Sequence, residues 1–322
     1  MIRHYYRLLI FILLVPGAVF SQEIDDGPGY QFMMINNPSL AGSEGDGALR
    51  LSYLNLYPGN NYNLHSVYLS YDSYFPDLHG GAGFYLINDY LGGIMNDING
   101  GVSYSYNLQA GEDLFINAGL SASVYHRGYN FEKAIFPDQI DPLGGVVYPS
   151  SEILSAEGKT VFDIGTGILF ISGKFFGGVA VNHLTEPDLS VNTSSNDNLK
   201  RELLFHINGD FVLSEAREIS INPLIYITLL DNYFFGGTGA SVGSKYLSIN
   251  ALVLGSKNGD VNIQTGFSVK TGKISFIYNY RFNINSASLS LPLSLIHQTG
   301  IAISLNNVDK RKIIKTINYP KL

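Results

Sequence analysis

The sequence predicts an all-β protein, a transmembrane antiparallel outer-membrane β-barrel of about 14 strands. Three observations predict it: residues alternate with a period of two in stretch after stretch, no later segment offers the roughly eighteen uninterrupted apolar residues of a spanning helix, and short and long connections alternate. Leu114–Arg127 shows the first of these. Leu114, Ile116, Ala118, Leu120, Ala122 and Val124 share one parity, and Asn117, Gly119, Ser121 and Ser123 share the other. Alternate residues of a strand point to opposite faces. A soluble sandwich would carry Lys, Glu and Thr on its outer face, whereas the second face here is small, uncharged and hydroxylic. The apolar parity therefore meets lipid, and the Ser, Asn and Gly parity points into a lumen.

The same pattern recurs along the chain. Val102, Tyr104, Tyr106 and Leu108 alternate with Ser103, Ser105 and Asn107, and Ile274, Phe276, Tyr278, Tyr280 and Phe282 alternate with Lys273, Ser275, Asn279 and Arg281. Strands are expected at 48–57, 64–74, 81–88, 99–108, 114–127, 161–171, 174–183, 203–214, 218–229, 233–243, 245–255, 260–270, 272–283 and 299–306. An open sheet cannot satisfy its edges in hydrocarbon, so the strands must close. Tyr and Phe near the strand ends would form the interfacial girdles, because the chain has no Trp.

Connections give an independent check, since outer-membrane barrels have short periplasmic turns and longer outward loops. The long links 89–98, 128–160, 184–202 and 284–298 all follow odd strands, and brief links such as Gln109–Asp113 and Glu215–Glu218 follow even ones. Both ends of the barrel then lie on the periplasmic side.

Arg3 and Arg7 precede an apolar run from Leu8 to Val15 that stops at Pro16 and reaches small residues at Ser21. This reads as a secretory signal over 1–21. The chain has no cysteine, which excludes lipoprotein anchoring, disulfides and a thiolate metal site. Charged residues make up 15% of it, below the roughly 25% of soluble domains, and it has 22 Tyr and 19 Phe, as suits a surface facing lipid. The formal net charge is −7, which makes nucleic acid an improbable partner.

Candidate chemistry is sparse. His183, Thr185 and Glu186 sit where a strand leaves the membrane, beside Pro187, and read as a loop corner; no Ser-centred nucleophile motif accompanies them. His206 and Asp210 share the lumen parity and with Asp163 could bind a metal, although lumen polarity alone accounts for them. Asp89, Asp97, Asp138 and Asp141 read as solvated loop charges. The glycine clusters Gly80–Gly83, Gly177–Gly178 and Gly236–Gly239 lack the strand–loop–helix setting of a phosphate cradle; barrel curvature or close packing in the lumen accounts for them better. Catalysis, cofactors and metals are not expected.

Residues 30–42 read YQFMMINNPSLAG, followed later by GAGFYLINDYLGG, FDIGTGILFISGKFFGGVAVNHLTEP over 162–187, and ISFIYNYRFN. This order resembles the PorP/SprF family of the type IX secretion system in gliding and protein-secreting Bacteroidota. Asn37, Pro38, Ala41 and Gly42 match its early motif, with Ser39 and Leu40 in place of the more usual Ala-Tyr. The resemblance implies an outer-membrane barrel that assists secretion or surface attachment of cargo such as a large adhesin, working with periplasmic ring and cell-wall-binding partners. The expected organisation is a signal peptide over 1–21, a periplasmic N-terminal arm or plug over 22–47, the barrel over 48–306 and a basic periplasmic tail over 307–322. The candidate interaction residues are Asn37, Pro38, Ala41, Gly42, His183, Lys310, Arg311 and Lys312. The alternative is an outer-membrane channel for a hydrophobe or small solute. Residues 23–47 are expected to separate the two: a plug would fill the lumen, and a docking arm would lie in the periplasm.

Overall fold

The computed structural model describes residues 34–58, 64–131, 137–141, 145–146, 158–190, 197–231, 233–285 and 294–305. The signal region 1–21 and the tail from residue 306 onward lie outside these. Fourteen strands form one closed antiparallel barrel. They are β1 (Ala48–Leu56), β2 (Leu64–Phe75), β3 (Gly80–Leu91), β4 (Met95–Gln109), β5 (Leu114–Tyr129), β6 (Gly158–Ser172) and β7 (Phe175–Asn182). Then follow β8, interrupted at Asp210 into Glu202–Gly209 and Phe211–Ser214, β9 (Ile219–Leu230), β10 (Tyr233–Gly243), β11 (Leu247–Ser256), β12 (Val261–Thr271), β13 (Ile274–Asn285) and β14 (Ser294–Ser304). Each pairs with its neighbour in sequence, and β1 closes the barrel on β14 from Ala48↔Ser304 to Leu56↔Ile296.

The expected faces are those observed. Along β5, Leu120 and Val124 are exposed on the outside, while Phe115, Asn117, Gly119, Ser123 and Arg127 are buried toward the lumen. The apolar exterior continues through Val102 on β4, Phe162, Ile168 and Phe170 on β6, Ile225 and Ile227 on β9, and Ile249 and Val253 on β11. Exposed apolar residues on this scale fit a lipid-facing belt and not a water-facing surface. Among the described residues no helix is long and apolar enough to cross a membrane. On the loop side of the exterior, Tyr280, His297, Asn55, His65 and Tyr90 fall opposite one another across β13, β14, β1, β2 and β3. His65 stacks on Tyr90 at 4.8 Å, and Tyr280 lies 4.8 Å from His297. The girdle therefore uses histidines beside the expected tyrosines.

Two sequence expectations need correction. The link 89–98 is not a long loop: β3 and β4 extend until only Gly92, Gly93 and Ile94 separate them, with both glycines at positive φ. Asp89 pairs opposite Asp97 across these strands, so neither is a solvated loop charge. Asp97 is accommodated in extended backbone because it faces the lumen, where Arg127 donates to it, while Asn88 and Asn96 lie on the outer parity near the loop end. Likewise β14 begins at Ser294 instead of 299; hydrogen bonding to β13 and β1 on both sides overrides the weak alternation around Gln298. The remaining long links, 130–157, 183–201 and 286–293, leave the end opposite the short turns, as parity requires.

Candidate functional site: the segment seated in the lumen

The chain entering β1 sits inside the barrel. Pro38–Leu40 forms a single 3-10 turn, started by Pro38, whose fixed φ suits a first helical position. Asn37 caps it: its side-chain oxygen accepts from the Ser39 N–H at 3.1 Å and from the Ser39 hydroxyl at 2.6 Å. With the oxygen so engaged, the Asn37 amide nitrogen faces His206 Nε2 on β8 at 3.2 Å and donates to it. His206 must then carry its proton on Nδ1, which lies 3.0 Å from the Asn208 side-chain oxygen. Ser39, Asn37, His206 and Asn208 thus form one buried, directional chain of hydrogen bonds from the turn to the wall.

Inward-facing glycines make room for this turn. A Cβ on Gly119 of β5 would overlap the backbone of Pro38 and Ser39, one on Gly167 of β6 would overlap the Asn37 side chain, and one on Gly178 of β7 would lie 2.8 Å from Asn37 Nδ2. Gly81 of β3 meets the Ala41 carbonyl in the same way. Close packing in the lumen is therefore the reason for Gly81 and Gly178, one of the two readings that the sequence offered. Leu40 joins an apolar cluster with Phe115, Leu169, Phe176 and Leu204, while Met34 and Ala41 pack with Tyr68 and Tyr85. Further along, the Gly42 N–H donates to Asp72 on β2 at 2.8 Å, Gly42 itself being at φ 65°. Arg50 on β1 ties Asp72, at 2.5 Å, to Glu44 of the inserted segment. The Ser105 hydroxyl of β4 donates to the Ser39 carbonyl at 2.9 Å.

The predicted residues Asn37, Pro38, Ala41 and Gly42 are thus brought together, each against the inner wall. His183 lies elsewhere, at the loop end of β7. Its backbone is left-handed (φ 54°), and its Nδ1 lies 2.8 Å from Asp163 Oδ2, while the Thr185 hydroxyl donates to the other oxygen of Asp163 at 2.7 Å. This is the loop corner that the sequence suggested, with Asp163 as its anchor. Asp163 is therefore committed to His183 and not to His206, and no cluster of three or more His, Cys, Asp or Glu suited to a metal occurs among the described residues. Lys310, Arg311 and Lys312 lie outside the described residues.

Loop residues fold over the same rim. Arg127 of β5 holds Asp97 of β4 through both Nε and Nη2, and reaches Asp197 of the 183–201 loop. Lys159 bonds Asp188 at 3.0 Å, and the Ser190 hydroxyl and N–H hold the Asp188 carboxyl well below the usual carboxylate range. The loop buries Leu189 and Leu199 through paired bonds between Leu189 and Asp197 and between Leu199 and Pro187. Across the barrel the wall is polar: Asn250, Asn279, Gln298 and Ser52 bond in series across β11, β13, β14 and β1, and Arg281 donates twice to Gln264.

A family model described as type IX secretion system membrane protein PorP/SprF matches residues 30–298, a span that includes the luminal turn, His206 and the His183 corner. The chain belongs to the PorP/SprF family. Comparison with curated proteins gives no match. Among solved structures, the TodX deltaS2S3 mutant, a monoaromatic hydrocarbon channel, is similar with a TM-score of 0.53 at 10% identity, over 85% of this chain and 94% of that one. The P. putida toluene transporter TodX gives a TM-score of 0.50 at 10% identity, over 85% and 93%. The Acinetobacter baumannii outer membrane protein Omp33 gives 0.48 at 8% identity, over 82% and 99%. At such identities the TodX likeness speaks for the barrel fold alone. This PorP/SprF protein is a type IX secretion component of the outer membrane, and its family and fold are those of a secretion membrane protein and not of an enzyme. Of residues 23–47, which were to separate a channel from a docking arm, 34–47 sit in the lumen and 23–33 lie outside the described residues.

Sequence reasoning found the Asn-Pro motif but not its turn, and missed the receptors of that turn: His206, Asp72, Ser105 and the glycines 119 and 167. A signal was present, because glycine in a strand interior at lumen parity marks close approach of another backbone.

Proposed function

We propose that this PorP/SprF protein assists the secretion or surface attachment of a particular cargo, such as a large adhesin, by contacting periplasmic ring and cell-wall-binding components of the machinery. The family match over residues 30–298 carries this reading. Asn37, Pro38, Ala41 and Gly42 would then act by fixing the chain that leads toward the periplasm, His183 by setting the outward loop, and Lys310, Arg311 and Lys312 by meeting partners or headgroups on the periplasmic side.

Deletion of the gene is expected to remove at least one large protein from the cell surface while the envelope stays intact, as read by surface proteomics and detergent sensitivity. A second reading, a channel for a hydrophobe or small solute, draws on the luminal position of Met34–Gly47. An unchanged surface proteome with lost uptake of a small hydrophobe would replace the first reading with the second.

The tail offers a finer test. Trimming the chain after Asn307 is expected to leave a folded barrel that no longer co-purifies with periplasmic secretion components, and reversing the charges of Lys310–Lys312 should do the same. Retention of partners and normal cargo secretion by the trimmed protein would remove the tail from the docking role.

A further inference from the structure

Traced back from β1, the luminal segment climbs away from the periplasm. The Gly45 carbonyl accepts from the Tyr74 N–H near the short-turn end of β2, Gly42 lies against Asp72 and Gly81, and Met34 lies against Gly83 and packs with Tyr68 and Tyr85. Along β2 and along β3, each of these contacts is nearer the loop end than the one before. The other side of the wall agrees. Asn37 meets Gly178 on β7, and the Asn36 carbonyl accepts from the Asn182 side chain, at the loop end of that strand, at 3.3 Å. On the side of β2 and β3, Ala41 and Gly42 therefore stand between Met34 and the periplasmic mouth.

At the level of Met34 and beyond it, the β4 wall carries polar groups that lack partners. Ser103 pairs opposite Gly83, and Asn99 is four residues nearer the loop end. Each is 4% exposed, yet Ser103 Oγ and Asn99 Oδ1 have no hydrogen-bond partner. Buried polar groups are nearly always bonded, and the backbone of a passing chain supplies both donors and acceptors. On the side of β8–β11 the lumen is filled by Leu204, Tyr226, Phe235 and Leu254, which leaves the β2–β4 strip as the way outward. The sequence ahead of Met34 suits that strip: Tyr30–Met33 carries no charge, whereas Glu23, Asp25 and Asp26 suit water. From Ser103 to Met95, where β4 ends, is eight residues, about 26 Å at the rise of a strand. The eleven residues Glu23–Met33 are long enough, when extended, to cover it.

We infer that residues 23–33 run outward through the lumen along β2–β4 and emerge at the loop end, so that Glu23–Asp26 form an arm on the cell surface and not in the periplasm. Gly42–Gly47 lead down to β1 at the periplasmic rim, and the Asn37–Ala41 turn anchors the chain between the two halves. The inference goes beyond the secretion reading and does not depend on it, since a channel would carry the same arm.

The chain has no cysteine, so single cysteines report the route. The probe is a polyethylene-glycol maleimide too large to cross the outer membrane, applied to cells carrying the full chain. Asp25→Cys and Asp26→Cys are expected to react in intact cells as fully as Lys200→Cys on an outward loop. They should react at least fivefold more than Glu112→Cys in a short turn, which needs a permeabilised outer membrane. Gln31→Cys, inside the lumen, should react only after denaturation. None of these positions lies in a strand of the barrel, and folded gel mobility checks that each variant has assembled. Reaction of Asp25→Cys and Asp26→Cys only after permeabilisation would put the arm in the periplasm and overturn the inference. So would the absence of reaction at both positions in the folded protein, which would leave the arm within the barrel, or reaction of Gln31→Cys before denaturation.

Discussion

Leu120→Arg lowers the yield of folded, heat-resistant barrel far more than Ser121→Arg does. Leu120 is 61% exposed on the outer face, opposite Tyr104 on β4 and Thr166 on β6, at mid-height of the wall. An arginine there must remain in hydrocarbon or drag water and headgroups toward itself, at a cost of about 2–4 kcal/mol near the midplane. Ser121 is its neighbour in sequence but points into the lumen beside Gly165, where a guanidinium can reach polar groups. The measurement is the fraction of barrel that keeps its folded mobility in detergent gels, together with denaturant unfolding from lipid vesicles. Equal losses in both variants would mean that the faces are wrongly assigned.

Gly119→Val unseats the luminal turn while leaving the barrel assembled. A Cβ at residue 119 falls on the Ser39 nitrogen and the Pro38 carbonyl carbon, both backbone atoms that no side-chain rotation can move aside. Overpacking of this kind reaches the top of the usual range, about 3 kcal/mol. If that cost falls on the inserted segment, amide exchange at Ser39–Ala41 should rise by about a hundredfold or more, with β-sheet content unchanged. Gly255→Val on β11 is the matched control, since nothing lies within 4 Å of its added Cβ. Unchanged exchange at Ser39–Ala41 in the Gly119 variant would show that the segment does not depend on the glycine row.

Both variants sit on adjacent residues of one strand, and the difference between them marks how far the sequence could be read. A period of two is a local property of extended backbone, so lipid and lumen faces were legible from a dozen residues at a time. Strand number and loop parity followed, because each turn is written in its own few residues. The reading failed where local chemistry and pairing disagreed. Asn88, Asp89, Asn96 and Asp97 carry turn-forming side chains, yet they lie in strands because their backbones pair across the β3–β4 hairpin.

The sequence by itself determined an outer-membrane barrel, its alternating faces, and an Asn-Pro motif ahead of the first strand. That the motif forms a turn, and what the turn does, was decided by the tertiary structure alone. Asn37 and His206 are 169 residues apart, and Gly119, Gly167 and Gly178 stand on three different strands. Each glycine in the sequence is only a missing side chain. Closing β1 onto β14 curves the sheet so that these gaps face one interior point, and there the backbone of Pro38 and Ser39 fills them.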